Sequence, residues 1–341
     1  MLSLILYCGE MDEEFVPRIM AVGVGGGGCN SVNRIYKYGI KGAELVAINT
    51  DAKHLQLMPS GIRRLLIGKS LTRGLGAGGF PEVGMKAAET SKEELKEIFD
   101  GVHLVFLTAG MGGGTGTGAA PVVAEVAKEQ GAIVIGVVTY PFEIERVRIK
   151  IAQQGINELK KKVDTLIVID NNRLVKLFPN LQIENAFQMA DEITAKAIKG
   201  ITETITQPSL INLDFADVRT IMRNGGLAMI GVGEARGVDR VKDVVDNTLK
   251  NKLLDVDYST STGVLIHLTG GNDLTLGEAN RIGELLTEMV PSNAYVAWGA
   301  RLDPTYEGKV EAVAIFVGVK GGSFVGKIEE EEKGGVEIEE I

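Results

Sequence analysis

From Arg18 onward, short apolar runs alternate with amphipathic stretches. Ile19–Gly23 runs into a glycine cluster and then a helix-like segment from Asn30, and Leu45–Ile48 ends in Asn49, Thr50 and Asp51. His103–Leu107 leads into a second glycine cluster and an Ala/Val/Glu/Lys helix at 119–130. Ala132–Val138 and Thr165–Ile169 are further runs of the same kind. Runs that are apolar throughout predict strands buried on both faces, so these segments predict a parallel, Rossmann-like α/β sheet covered by helices. Phe187, Ala190, Ile193, Ala197, Ile201 and Ile205 recur every three or four residues, which predicts a long helix with one apolar face, ended by Pro208. A second block, from Leu227 to Val319, reads as a smaller α/β domain.

The length of 341 residues predicts two domains with two cores. Hydrophobic content of 45% with 24% charged residues excludes a disordered chain. The net charge of −9 is concentrated at the end, where Ile328–Ile341 holds seven Glu and one Lys. A nearly neutral body with an acidic tail is the wrong sign for phosphate neutralisation, so no nucleic-acid partner is expected. Cys8 and Cys29 are too few for a disulfide framework, which fits a reducing cytoplasm. His54, His103 and His267 show no metal-ligand spacing. No apolar run reaches the ~18 residues of a membrane span. Residues 1–16 read as an extension, with Met11 an alternative initiator.

Glycine numbers 44, well above the usual ~7%, and its placement carries the chemistry. Gly23–Gly28, followed by Cys29 and Asn30, stands where a strand becomes a helix and satisfies G-x-G-x-x-G. Such a turn lets a phosphate approach backbone and meet the N–H groups of a helix N-terminus. Asp51, ending the next strand, stands where a ribose-binding acid would. Alone this cluster fits a nicotinamide oxidoreductase. Gly110–Gly118 adds a second anion cradle and Leu75–Pro81 a third loop, which suits a nucleoside triphosphate better. Gly68, Lys69 and Ser70 do not complete a P-loop, because Gly61 lies seven residues before Gly68 instead of five.

Gly110-Met-Gly-Gly-Gly-Thr-Gly-Thr-Gly118 resembles the signature loop of the tubulin/FtsZ family, and Asn212-Leu-Asp214-Phe-Ala-Asp217-Val-Arg219 resembles its synergy loop. The resemblance spans about residues 17–320. It implies a tubulin/FtsZ-like fold with a GTP-binding domain (17–183), a central helix (184–207), a C-terminal activation domain (208–320) and a flexible acidic tail (321–341). It also implies GTP hydrolysis, head-to-tail self-assembly into a cell-division ring at mid-cell, and Mg²⁺ bound mainly through phosphates and water. Gly26, Gly27, Gly28 and Asn30 would hold the diphosphate, with Cys29 where glycine is usual. Gly114, Thr115 and Gly116 would cradle the β- and γ-phosphates, with Gly112, Gly113 and Thr139 also in contact. Ala77, Gly78 and Gly79 would close over the γ-phosphate. Glu145 resembles the ribose-binding acid. Position 149 is Ile where the family has arginine, and Arg148 comes one residue early.

Asp191 can accept from guanine N1–H and N2–H, Asn171 can complete that readout, and Phe187, one turn away, can cover the ring. Without the resemblance, Phe187 is equally a core residue and Asp191 a solvated one. Asp214 and Asp217 are three residues apart, so both carboxylates can face one way on a helix, and Asp214 can equally be an N-cap. The resemblance implies that Asp214 and Asp217, supported by Asn212, act in the nucleotide pocket of the next subunit. A filament-forming relative without useful hydrolysis remains an alternative. Gly334–Ile341 reads either as solvated disorder or as a docking peptide for a membrane-attached adaptor. Cys29, at a helix N-terminus, is either a lowered-pKa thiol or an inert small residue.

Overall fold

The computed structural model describes residues 16–177, 180, 182–207, 209–250, 254 and 256–321. The expectations for the extension before Val16, for Pro208 and for the tail from Gly322 onward lie outside the described residues.

Strand β1 (Ile19–Val24) runs straight into α1 (Gly25–Tyr38), followed by β2 (Ala43–Asn49), α2 (Ala52–Gln56) and β3 (Arg63–Leu66). Helices α3 (Lys69–Thr72), α4 (Pro81–Glu89) and α5 (Lys92–Phe99) precede β4 (Leu104–Gly110). Next come α6 (Gly114–Glu129), β5 (Ile133–Tyr140), α7 (Val147–Lys160), β6 (Thr165–Asp170) and α8 (Asn171–Leu177). The long α9 (Ile183–Thr206) and α10 (Phe215–Met222) lead to β7 (Gly226–Arg236) and α11 (Arg240–Lys250). The chain continues through β8 (Val256–Asp257), β9 (Gly263–Gly270), α12 (Leu276–Thr287), β10 (Tyr295–Leu302), β11 (Lys309–Val317) and β12 (Lys320–Gly321).

One ten-stranded sheet, in the order β3-β2-β1-β4-β5-β6-β7-β11-β9-β10, runs through the molecule. The strands from β3 across to β7 are parallel, β11 is antiparallel to both its neighbours, and β10 is parallel to β9. The order 3-2-1-4-5-6 is that of a doubly wound nucleotide fold, whose ligand crevice lies where neighbouring strands send their crossovers to opposite sides. Between β6 and β7 the register pairs are Thr165 with Gly226, Leu166 with Leu227 and Ile167 with Ala228. The two halves are thus hydrogen-bonded into one sheet.

Among the described residues the buried side chains form two cores, and these divide by sheet face and not by half of the chain. Met20, Val22 and Val24 of β1 join one core together with Val264 and Phe316 from the second half. Ile19 and Ala21 join the other, with Val32 and Ile35 of α1, Ile198 and Ile201 of α9, and Leu265 and Val313. Successive strand residues point to opposite faces, so a fully apolar strand feeds both.

Helix α9 spans the depth of this second face. Near its start Asp191 takes a hydrogen bond from Ser31 of α1, and near its end Glu203 accepts from Lys41 N–H, just before β2 begins. Twelve residues at 1.5 Å each put the two ends of that interval about 18 Å apart.

Candidate nucleotide site

A cleft of about 810 Å³ opens at the C-terminal ends of β1, β2, β4 and β5. Helices α1 and α6 both begin at this edge. Neither has a side-chain cap hydrogen bond or an acidic residue in its first turn. Their first-turn N–H groups and positive dipole ends are therefore left for an anion.

Only glycine permits the two helix starts to come this close. A Cβ on Gly25, which has φ +73°, would lie 2.6 Å from Gly116 N, and one on Gly116 would lie 2.6 Å from Gly110 O. The third loop is drawn in the same way. Gly76 N–H donates to Thr50 O at 3.1 Å and Ala52 N–H to Gly74 O at 3.0 Å, which ties 74–76 to the end of β2. A Cβ on Gly114 would sit 2.8 Å from Phe80 N, so the loop lies against the α6 N-terminus. Thr50 and Thr115 hydroxyls meet at 2.7 Å across the same junction.

Of the residues expected to contact nucleotide, the cleft gathers Gly26, Gly27, Asn30, Asp51, Gly79, Gly113, Gly114, Thr115, Gly116, Thr139, Glu145, Arg148, Asn171 and Asp191. Each polar member has a definite posture. Asp51 caps α2, accepting from His54 N–H at 3.1 Å. Glu145 accepts from Phe142 N–H at 3.0 Å and pairs with Arg148 at 2.7 Å, so the early arginine does reach the cleft. Asn171 is buried and its Oδ1 has no protein partner, an acceptor whose cost a ligand donor would relieve. Ser31 donates to Asp191 Oδ1 at 2.6 Å, and burial raises the Asp191 pKa against the pull of that bond. Phe187 lies on α9, but its side chain lies outside the described residues.

Several expected contacts stand elsewhere. Gly28 faces β4, where a Cβ would fall 2.2 Å from Thr108 O, so it serves helix–strand packing. Cys29 is fully buried on the far side of α1, its thiol directed to Gly23 O and Ile48 O at 3.7 Å. Burial pushes that thiol up to about 12, which overturns the lowered-pKa alternative and leaves the inert small residue. Ala77 is buried and Gly78 (φ +62°) turns the loop behind Gly79. Gly112 donates to Thr117 Oγ1 at 2.9 Å and leaves room for Arg148 O, which would be 2.8 Å from a Cβ. Lys69 pairs with Glu94 at the surface, as a solvated lysine does.

The cleft also contains Gly76, Gly110 and Met111, which belong to the glycine loops already singled out, and Ser31, Asn49, His54 and Pro141, which sequence reasoning missed. Ser31 and His54 each follow a recognised position by one or three residues, and their helical phase was the available signal.

The acidic pair is at the opposite edge of the sheet. Asp214 is exposed and caps α10, accepting from Ala216 N–H at 2.9 Å, so the capping alternative holds. Phe215 packs edge-on against His103, which immediately precedes β4, with ring centroids 6.3 Å apart. Asn212 is exposed and its Oδ1 accepts from Ser209 N–H at 3.0 Å. Asp217 accepts from the Tyr295 hydroxyl at 2.6 Å. Among the described residues, no three His, Cys, Asp or Glu side chains form a metal-binding group.

Residues 18–179 match the model of the tubulin/FtsZ family GTPase domain, and residues 226–320 that of the FtsZ family C-terminal domain. Cell division protein FtsZ 2 of Methanocaldococcus jannaschii is 59% identical over 320 residues, 93% of this chain and 84% of the relative. FtsZ 1 of Archaeoglobus fulgidus is 51% identical over 91% of this chain and 84% of its own length. A solved empty FtsZ dimer from M. jannaschii superposes with a TM-score of 0.84 at 47% identity, covering 89% of this chain and 88% of that one. At 22% identity, a GDP-bound CetZ1 monomer from Haloferax volcanii shares the fold with a TM-score of 0.79, over 92% and 98% of the two chains.

The two kinds of glycine are separable by experiment. Gly28→Ala drives a Cβ into Thr108 O and should lower the melting temperature strongly, by about 2 kcal/mol or more of stability. Gly26→Ala meets nothing within 4 Å and should melt like the parent while binding guanine nucleotide more weakly. Thermal denaturation beside GDP titration checks both; a Gly28→Ala protein that melts normally contradicts the packing role.

Proposed function

The chain belongs to the tubulin/FtsZ family, a cell-division GTPase by that membership, and on that premise we propose that its cleft is half of a hydrolytic site completed by a second copy. The nicotinamide oxidoreductase reading falls with the family assignment. In the proposal, the triphosphate lies across the N-termini of α1 and α6 with the 74–79 loop against its γ-end. Ser31 holds one oxygen of Asp191, the other accepts from guanine, and Asn171 completes base choice. Glu145, backed by Arg148, takes the ribose.

One observation carries the rest: exposed Asp214 and half-buried Asp217 stand at the sheet edge opposite the cleft. The cleft's own carboxylates are each engaged, Asp51 in a cap, Glu145 with Arg148 and Asp191 with Ser31. A neighbour stacked head to tail would bring its Asn212–Asp217 segment to the open cleft, where the two carboxylates orient and polarise the attacking water. Exposed apolar side chains on both edges support such a contact. Leu57, Leu75, Phe80, Ile144 and Val147 stand near the cleft, and Leu210, Tyr295 and Val296 near the acids. A heterologous contact of this kind does not close, so it builds filaments, and hydrolysis removes the γ-phosphate that bridges it.

Mg²⁺ belongs to the proposal as a charge-neutralising ion. With no three-residue acidic or histidine cluster among the described residues, the donor set fits a cation carried on phosphate oxygens and water. The proposal places the filament in the division ring at mid-cell. Among the described residues no helix is long and apolar enough to cross a membrane, and the proposed anchor is the tail, docking on a membrane-attached adaptor.

Asp214→Ala should keep GTP binding and light-scattering assembly while phosphate release falls at least about tenfold, in the range expected for a lost water-positioning carboxylate. Undiminished phosphate release would remove the role assigned to it. Deleting 328–341 should spare assembly and abolish recruitment to membranes in cells; recruitment that persists refutes the anchor.

A further inference from the structure

One wall of the cleft carries a chain of hydrogen bonds whose direction is determined from end to end. Asn49 is almost wholly buried, and its Oδ1 accepts from Thr50 N–H at 2.9 Å. Its amide nitrogen is therefore the atom that faces His54 Nδ1 at 3.1 Å. An amide NH₂ only donates, so Nδ1 must be the bare, accepting nitrogen of the ring. The proton of the neutral imidazole then sits on Nε2, which lies 3.2 Å from Asn30 Oδ1. Asn30 is thus gripped by its oxygen, and its NH₂ is the end not used by His54. The His54 backbone is anchored as well, because its N–H donates to Asp51 Oδ1 at 3.1 Å at the start of α2.

Asn30 shares the cleft wall with Gly26 and Gly27, whose helix start attracts the anion. A side-chain amide left to rotate presents oxygen and nitrogen to that place with similar ease, and the oxygen repels phosphate. We propose that His54 is a positioning residue: with Asn49 it holds Asn30 in the one orientation that offers N–H donors to the phosphate chain of the nucleotide. The inference rests on the reading of this cleft as the nucleotide site. It assigns to Asn49 and His54 a specific task performed through Asn30, and it makes the tautomer of one histidine part of nucleotide recognition.

The relay has a readout that needs neither hydrolysis nor assembly. In the full chain with ¹⁵N-labelled histidine, the neutral ring of His54 should show an unprotonated Nδ1 and a protonated Nε2. An Nδ1–H tautomer overturns the proposal. GDP titration at monomeric dilution then tests the consequence. His54→Ala should weaken GDP binding about fivefold to tenfold, the scale of one phosphate hydrogen bond. His54→Gln should recover most of it, since glutamine offers an acceptor and a donor at similar spacing. Parental affinity in His54→Ala, or in Asn30→Ala, overturns the relay while GDP binding by the parent chain keeps the site reading intact. A parent chain that binds no GDP removes the site reading itself.

Discussion

Two helices begin within backbone contact of each other at Gly25 and Gly116, and everything else at the site depends on that approach. No residue with a side chain fits there: a Cβ on Gly25 would fall 2.6 Å from Gly116 N, and one on Gly116 would fall 2.6 Å from Gly110 O at the end of β4. The contact concentrates two sets of unspent N–H groups and two positive dipole ends at the switch point of the sheet. Both helices lack a capping side chain and an acid in the first turn, so neither helix neutralises this field itself. The glycines at 74–79 extend the same device by letting a third loop lie on the start of α6.

A second constraint is distance. Helix α9, 24 residues long, joins the cleft at Asp191 to the opposite strand edge, where the segment with Asp214 and Asp217 begins. It packs along its length into the core shared with α1, through Ala195, Ile198 and Ile201. A helix held like that is a strut, and it keeps the acids away from the cleft of their own chain. The same rigidity makes the proposed catalysis a property of a pair of subunits, which ties the chemical state of the nucleotide to the state of assembly.

Much of this was legible in the sequence. The apolar strand runs, the glycine clusters at strand–helix junctions and the 3.6-residue period of α9 all follow from periodicity and backbone permissiveness, which are local properties. What remained hidden was set by direction. Gly26 and Gly28 look alike in sequence, yet one faces the cleft and the other the carbonyl of Thr108. Cys29 follows the same turn but points into the core, where burial suppresses its ionisation. Ser31 and His54 became visible only when α1, α2 and α9 were packed together, because their partners are up to 160 residues away. The division into two cores was expected by domain and is found by sheet face, since β6 and β7 pair across the junction.

The central claim is that one folded chain holds the nucleotide but lacks the group that cleaves it. Phosphate release per molecule, measured from dilute monomer through the onset of light scattering with GTP and Mg²⁺, tests this most directly. The account predicts almost no release from monomer and a steep rise as subunits stack. Full-rate cleavage in a sample shown by sedimentation to be monomeric would contradict it.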